Sequence, residues 1–221
     1  LSQFERWYSQ AGTPRVKVSA SHDADEATYT LTMEQFCPPT PGQAVKLPMH
    51  IPVAVGLLDS HGHDLPLTLA STIAFDEVEV HPAPTTLVLE LTEAKQSFTF
   101  SGIDSQPVPS LLRNFSAPVV LEYDYSDNEL AFLLAHDSDP FNRWEAGQRL
   151  ATRRLLALVA SGVSADFTYP ATAQDKLIAD ALRKLLRDSS LDPAFRDLVL
   201  TLPSEATLSE EVDLIDPQAI H

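Results

Sequence analysis

Two histidines, His61 and His63, stand between Asp59 and Asp64 in the stretch DSHGHD. Imidazoles and carboxylates are the side chains that hold zinc, so this cluster has the residue types of a metal site. Zinc needs its ligands to converge on one point, as a His pair four apart on a helix does when a glutamate lies between them. No histidine pair here has that spacing, and Asp, Ser and Gly in DSHGHD are the residues that satisfy a tight turn. The stretch is therefore read as a solvated turn.

The other reactive residue types receive similar readings. Cys37, the single cysteine, sits beside Pro38 and Pro39 with no partner nearby in sequence to activate it, and is read as structural. One cysteine also excludes an internal disulfide and a cysteine-based zinc cluster, and is compatible with a reducing compartment. Glu77 and Glu79 fall two apart in an extended stretch, which puts both on one acidic, solvated face. Asn114 in NFS fits a glycosylation acceptor, read as coincidence in a chain without a secretion signal. With only 7 glycines, and no G-x-S-x-G elbow or phosphate loop, there is no nucleophile or nucleotide motif.

The charge balance narrows the partners. Fifteen basic against 31 acidic residues give a net charge of -16, which repels phosphate backbones and anionic lipid, so no nucleic-acid or membrane partner is expected. A hydrophobic content of 44% with 21% charged residues is that of a water-soluble globular chain, and no apolar run reaches the roughly 18 residues of a membrane span.

Two periodicities divide the 221 residues. Over 14–125 the pattern is alternation: Val16, Val18 and Ala20; Tyr29, Leu31 and Met33; Ile51, Val53, Val55 and Leu57; Leu87, Leu89 and Leu91; Phe98 and Phe100; Val119, Leu121 and Tyr123. LPLTLA, after the DSHGHD turn, is expected to close a hairpin. About seven short strands without a helix between them predict an antiparallel β-sandwich of Ig-like type. Prolines 38, 39, 41, 48, 52, 82, 84, 107 and 109 are placed at its strand ends and loops.

From 126 onward the period is helical. DNELAFLLAH predicts a short apolar helix; Asp139 and Pro140 cap and open a second, closing near Gly162 with Trp144, Gly147, Ala151, Leu155 and Leu158 along one stripe. A third is expected from Thr172 to Asp188, with Leu177, Ile178, Ala181, Leu182, Leu185 and Leu186 as its apolar band, and a fourth after Asp192. Asp216 and Pro217 begin a fifth that His221 leaves unfinished, and LSQFERWYSQAG at the other end is helix-like without a preceding element. Stacked helix pairs bury such bands against neighbours on both sides, so the expectation is a segment of a longer chain.

Three stretches carry a family resemblance: LSQFERWYSQAGTP (Leu1 to Pro14), PVPSLLRNFSAPV (Pro107 to Val119) and DPFNRWEAGQRLA (Asp139 to Ala151). Together they resemble the bacterial aminopeptidase N family of zinc-dependent aminopeptidases. The first is similar to its junction from catalytic domain to sandwich, the second to the sandwich's closing segment, and the third to the first long helix of the C-terminal domain. The resemblance implies an Ig-like third domain at 14–125 and the start of an α-superhelical domain at 126–221, with 1–13 the end of the preceding catalytic domain. The family's H-E-x-x-H and G-x-M-E-N motifs are absent here. TMEQ (Thr32 to Gln35) is only superficially similar to the latter, and Met33 is read as core and Glu34 as surface.

The resemblance thus implies a non-catalytic piece of a cytoplasmic zinc metalloaminopeptidase that releases N-terminal amino acids from peptides. Its role would be that of a spacer setting the helical domain over the active site. No catalytic, cofactor-binding or metal-binding residue is assigned to this chain; zinc belongs to the parent enzyme and none to this segment. The partners implied are the catalytic domain and remaining C-terminal helices of the parent, with peptides as its substrates. Trp7, Tyr8 and Trp144 are candidates for packing at the junctions or for ordinary core. The alternative function is a free-standing β-sandwich module binding peptide or carbohydrate.

Overall fold

The computed structural model describes residues 2–70, 83–161 and 171–221, so Glu77, Glu79, Pro82 and Gly162 lie outside the described residues. The chain divides into two compact units, Leu1–Asp124 and Tyr125–His221.

In the first unit, a short helix α1 (Arg6–Ser9) precedes seven strands: β1 (Arg15–Asp23), β2 (Thr28–Phe36), β3 (Ile51–Leu58), β4 (Leu87–Leu91), β5 (Lys95–Ser101), β6 (Val108–Leu111) and β7 (Val120–Glu122). They form two sheets, ordered β5-β2-β1-β7 and β4-β3-β6. The result is an Ig-like sandwich, antiparallel except where β7 runs parallel to β1. Alternation decides which face is buried. Val16, Tyr29, Leu31, Met33, Ile51, Val53, Val55, Leu57, Leu91 and Phe100 are all fully excluded from solvent, and they include most of the alternating positions of the sequence pattern.

Two expectations about strands are corrected. LPLTLA is not a hairpin partner of β3: one bridge, Leu58 to Asp64, follows the turn, and then the chain crosses to the other sheet, where Ala70 donates to the Thr99 carbonyl. Pro66 has no N–H to extend a ladder, and β3 already has β4 and β6 as neighbours. Conversely, the stretch around Pro107 and Pro109 contains β6, with Pro109 paired to Leu57. As a sheet-edge strand β6 tolerates the missing donor. Pro52 also lies inside a strand; it shares parity with Ala54, whose N–H points out of the ladder to the Ser116 hydroxyl, so no ladder bond is lost.

The second unit contains α2 (Asp127–His136), α3 (Pro140–Ala160), α4 (Ala173–Arg187), α5 (Pro193–Leu200), α6 (Glu205–Glu210) and α7 (Pro217–Ile220). Each begins where a side chain can accept an orphan N–H: Ser126 and Thr172 form capping boxes with Glu129 and Asp175, and Asp139, Asp192, Ser204 and Asp216 cap the others. Helix α6, in SEATLSE, was not among the elements expected; its single buried residue, Leu208, gives no apolar period to detect. The buried stripe of α3 is also displaced from the expected one. Asn142, Arg143, Ala146, Leu150 and Arg154 are buried, while Trp144, Ala151 and Leu155 are only half-buried. A hydrophobicity stripe overlooked arginines because their charge marks them as surface residues.

Candidate functional site

Polar side chains that are enclosed or engaged by backbone show what each unit is built to hold. In the sandwich the first such feature is a clamp on α1. Gln3 Nε2 donates to Thr92 O at 2.5 Å, Arg6 donates to Pro48 O, and the Trp7 indole N–H donates to His50 O at 2.9 Å. Gln10 closes a two-way bond with the backbone of Leu47, its amide donating to the carbonyl at 2.9 Å and its oxygen accepting from the N–H at 2.7 Å. Behind it, Lys46 Nζ donates to Ala11 O, Thr40 Oγ1 and Gln43 Oε1 at 2.6–2.8 Å. A four-residue helix has too few internal hydrogen bonds to stand alone, so these side chains fix its direction. Trp7, a junction candidate, is half-buried in this clamp; Tyr8 is 85% exposed and meets Phe4 edge-on at 6.2 Å.

A second feature joins the two sheets. Gln35, on β2, donates to Met49 O (2.8 Å), Glu93 O (3.1 Å) and Leu91 O (3.3 Å), and accepts from Met49 N–H at 2.7 Å. One buried amide thereby satisfies backbone groups at the start of β3 and the end of β4 in the opposite sheet. Thus in TMEQ the fourth residue matters most: Met33 is fully buried, Glu34 is exposed and pairs with Lys95 at 2.7 Å, and Gln35 is the latch.

The third feature is Arg113, only 2% exposed. Its guanidinium donates to Ser110 Oγ (2.8 Å), Thr86 Oγ1 (2.9 Å), Thr85 O (3.4 Å) and Asp64 Oδ1 (2.6 Å). Gly56 of β3 lies directly beneath: a Cβ there would sit 2.0 Å from Cζ, so only glycine makes room.

These bonds account for the carboxylates of the DSHGHD cluster. Asp64 is committed to Arg113, and Asp59 Oδ1 accepts from the N–H groups of His61 and His63 at 2.8 and 2.9 Å. The His63 N–H is the largest influence holding the Asp59 pKa below its ordinary value. Among the described residues no three His, Cys, Asp or Glu side chains converge as a metal group would require. The donor set of the DSHGHD turn does not fit zinc. Cys37 is half-buried, its Sγ 3.5 Å from Ala11 O; Asn114 is exposed at a loop tip.

In the helical unit the ties are charged. Arg143 reaches back to the end of α2, donating to Leu134 O (3.1 Å) and Ala135 O (3.0 Å), and lies 3.8 Å from Asp188. Burial lowers its pKa, with Asp188 and Asp137 opposing. Arg154 makes a two-pronged bond to Asp175, at 2.5 and 2.9 Å, which links α3 to the capping box of α4. This bond, followed by those from Thr172, puts the Asp175 pKa far below the usual carboxylate range. Arg153 joins Tyr125 O and Asp127, and Trp144 lies tilted against Phe141 at 5.9 Å. An open groove of about 510 Å³ is lined by Ala135, Asp180, Arg183, Lys184, Arg187 and Asp188. Two of its charges are locally matched, Asp180 by Arg183 and Asp188 by Ser190 and Arg143.

None of Gln35, Arg113, Arg143 or Arg154 was singled out by sequence reasoning. Arg113 and Arg143 lie inside stretches that carry the family resemblance, and that was the available signal.

Comparison with known proteins gives the following. Residues 12–124 match a domain family of unknown function with an Ig-like fold, DUF3458, and residues 127–221 match its companion DUF3458_C, described as ARM repeats. Over all 221 residues the chain is 42% identical to aminopeptidase N of Escherichia coli K12 and 40% identical to that of Caulobacter vibrioides; over 220 residues it is 37% identical to that of Haemophilus influenzae. All of this chain is covered in each case, but only 24%, 23% and 24% of the respective relatives, so it spans about a quarter of their length. A crystal structure of Legionella pneumophila aminopeptidase A in complex with aspartic acid aligns with the whole chain at a TM-score of 0.71 and 28% identity, covering 22% of that protein.

Proposed function

Since the chain belongs to the DUF3458 Ig-like domain family, continued by the matching ARM-repeat domain, we propose that it is a non-catalytic segment of a zinc metalloaminopeptidase that removes N-terminal residues from peptides. In this reading 1–13 leads out of the catalytic domain, 14–125 is the spacer, and 126–221 begins the helical domain that covers the active site. Zinc, the catalytic glutamate and the groups that hold the substrate's amino terminus lie in other parts of the parent, where the metal would polarise the scissile carbonyl and activate water. The remaining C-terminal helices of the parent cover apolar residues such as Leu202 and Leu214, and the parent works in the cytoplasm.

The observation that carries this reading is the alignment of every part of the chain with one quarter of aminopeptidases N. The geometry agrees with it. Asp59, Asp64 and Cys37 are engaged in bonds within the unit, and the α1 clamp fixes the angle at which preceding chain would meet the sandwich.

The test uses the full-length gene product beside the 221-residue chain. The former should release N-terminal amino acids from peptides, lose the activity to a chelator and regain it with zinc; the latter should do neither. Stoichiometric zinc with turnover in the short chain would reject the assignment. The spacer role predicts that a short Gly-Ser insertion between Asp124 and Tyr125 of the full-length product changes the discrimination between long and short peptides, and unchanged discrimination would remove it.

A further inference from the structure

The end of α4 gathers more positive charge than the helix itself calls for. Lys184 and Arg187 stand in its last turn, where basic side chains face the negative end of the helix dipole, and Arg183 lines the same groove. Two further guanidinium groups arrive from other helices, which the dipole of α4 does not explain. Arg143 of α3, its side chain only 8% exposed, lies 3.8 Å from Asp188, and Arg196 of α5 donates to Leu186 O at 3.4 Å. The carboxylates of this corner are already engaged. Asp180 pairs with Arg183, Asp188 accepts from the N–H and hydroxyl of Ser190 at 3.0 and 2.5 Å, and buried Asp137 accepts from Asp139 N–H at 3.0 Å. Ser190 first, then Arg143 and Arg196, hold the Asp188 pKa below its ordinary value. Five cations against these three carboxylates leave the corner positive in a chain of net charge -16.

The cations are also incompletely used. Lys184 donates to the ring of His136 on α2, a contact that brings no opposing charge. The Arg187 guanidinium has no hydrogen bond or ion pair among the described residues, and Arg196 Nε is buried without an acceptor. A buried donor left in this way is a place that an acceptor from outside the chain can fill.

We infer that the groove where α2 meets α4 binds a small, multiply charged oxyanion, a polyphosphate or a polycarboxylate. Guanidinium forks bond such groups two oxygens at a time, and a positive recess set in an acidic surface concentrates anions onto itself. The groove's volume of about 510 Å³ lies in the range of small-molecule pockets, about 300–1,000 Å³. Nucleic acid, which would extend past the recess, meets the repulsion of the remaining acidic surface. The inference rests on these side chains and is independent of the peptidase reading.

Calorimetric titration of the full-length product with tripolyphosphate and, separately, with citrate at fixed ionic strength tests it. The expected result is saturable binding of at least one of them, weakened at least tenfold by Arg183→Gln combined with Arg187→Gln. Both arginines are exposed, so the double variant keeps its fold, which circular dichroism checks. Lys17→Gln, on the exposed face of β1, is the control and should leave binding unchanged. Tighter tripolyphosphate names phosphate groups as the natural match, and tighter citrate names carboxylates. Absence of saturable heat with both, or equal affinity in the double variant and the control, would overturn the inference. The bound anion should also slow backbone hydrogen exchange severalfold over 183–196 and leave the sandwich unchanged; exchange unaltered over 183–196 would place the anion elsewhere and overturn it as well.

Discussion

In the sandwich one arginine, Arg113, lies within an apolar interior in which, among the described residues, about half of the buried side chains are at zero exposure. In the helical unit, among the described residues, only Leu150 and Leu185 of the apolar side chains reach zero, and Arg143 and Arg154 tie the helices together. The difference follows from geometry. Two sheets facing each other at about 10 Å seal a core between them with no further element. Short helices leave gaps between their ridges that a long side chain can cross to reach a carbonyl or a cap. Thus the sandwich core is closed by its own sheets, with polar groups acting as keystones, whereas the helical unit ties its helices with charged side chains; both leave large apolar side chains more than half exposed, among them Tyr8, Phe36 and Val45 in the first and Leu198, Leu202, Leu214 and Ile215 in the second.

The contrast is tested most severely at the keystone. Arg113→Ala removes the guanidinium's bonds to Ser110, Thr86, Thr85 and Asp64 from a buried place; with the Asp64 side chain 18% exposed, the loss should approach but not exceed the about 3–5 kcal/mol of a broken buried pair. Gly56→Ala drives a methyl group into the same guanidinium. The double variant should lose less than the sum of the two, because the new methyl enters the space the guanidinium left. Chemical denaturation of the sandwich measures all three, and strict additivity would mean that Gly56 and Arg113 are not coupled. Next in size is Gln35→Leu. It fills similar volume but leaves the Met49 N–H and three carbonyls without this partner, each stranded buried group costing about 1–3 kcal/mol. A loss below ~1 kcal/mol would show that water replaces the latch.

These residues also mark where sequence reasoning stopped. The strand faces were legible because burial follows a period of two, as at Tyr29, Leu31 and Met33, and helix starts were legible where a capping residue stands at the head of an apolar run or before a proline, as at Asp139, Thr172, Asp192 and Asp216. A keystone has no period. Gln35, Arg113 and Arg154 are polar residues in polar or mixed stretches, and apart from Ser110 beside Arg113 their partners lie between 14 and 58 positions away in sequence; for Gln35 the partners begin at Met49, and for Arg154 the partner is Asp175. The LPLTLA segment misled for a related reason. Its alternation is real, and Leu67 is buried, but the turn before it does not decide which sheet it joins.

The charged ties of the helical unit predict a pH dependence. The folded Asp175 pKa is depressed well below its ordinary 3.8, first by Arg154 and then by Thr172. A depressed carboxylate contributes stability that is complete above the unfolded pKa and is lost as pH falls through that value toward the folded one. The helical unit should therefore weaken below about pH 4. Asp175→Asn should lower its stability at neutral pH by about 1.5–3 kcal/mol, discounted because the side chain is 28% exposed, and the gap to the natural chain should close on acidification. Helical circular dichroism followed against temperature at several pH values reads this, and a gap that is constant with pH would sink it.

The smallest expected effect on the isolated chain is the most informative about the unsealed unit. Leu202 and Leu214 are 64% and 87% exposed, so changing either to serine removes almost no buried apolar area from this chain. Surface changes of this kind stay within about 0.5 kcal/mol. If further helices of a parent cover these positions, the same substitution in the full-length product removes a buried leucine and leaves a hydroxyl in an apolar contact. Its cost there should rise into the ~2–5 kcal/mol range of buried leucine truncations. Thermal unfolding of both lengths with both variants separates the cases. Equal and negligible shifts in the two would mean that these leucines face water in the longer protein as well, and the helical unit would then be closed by charged ties alone.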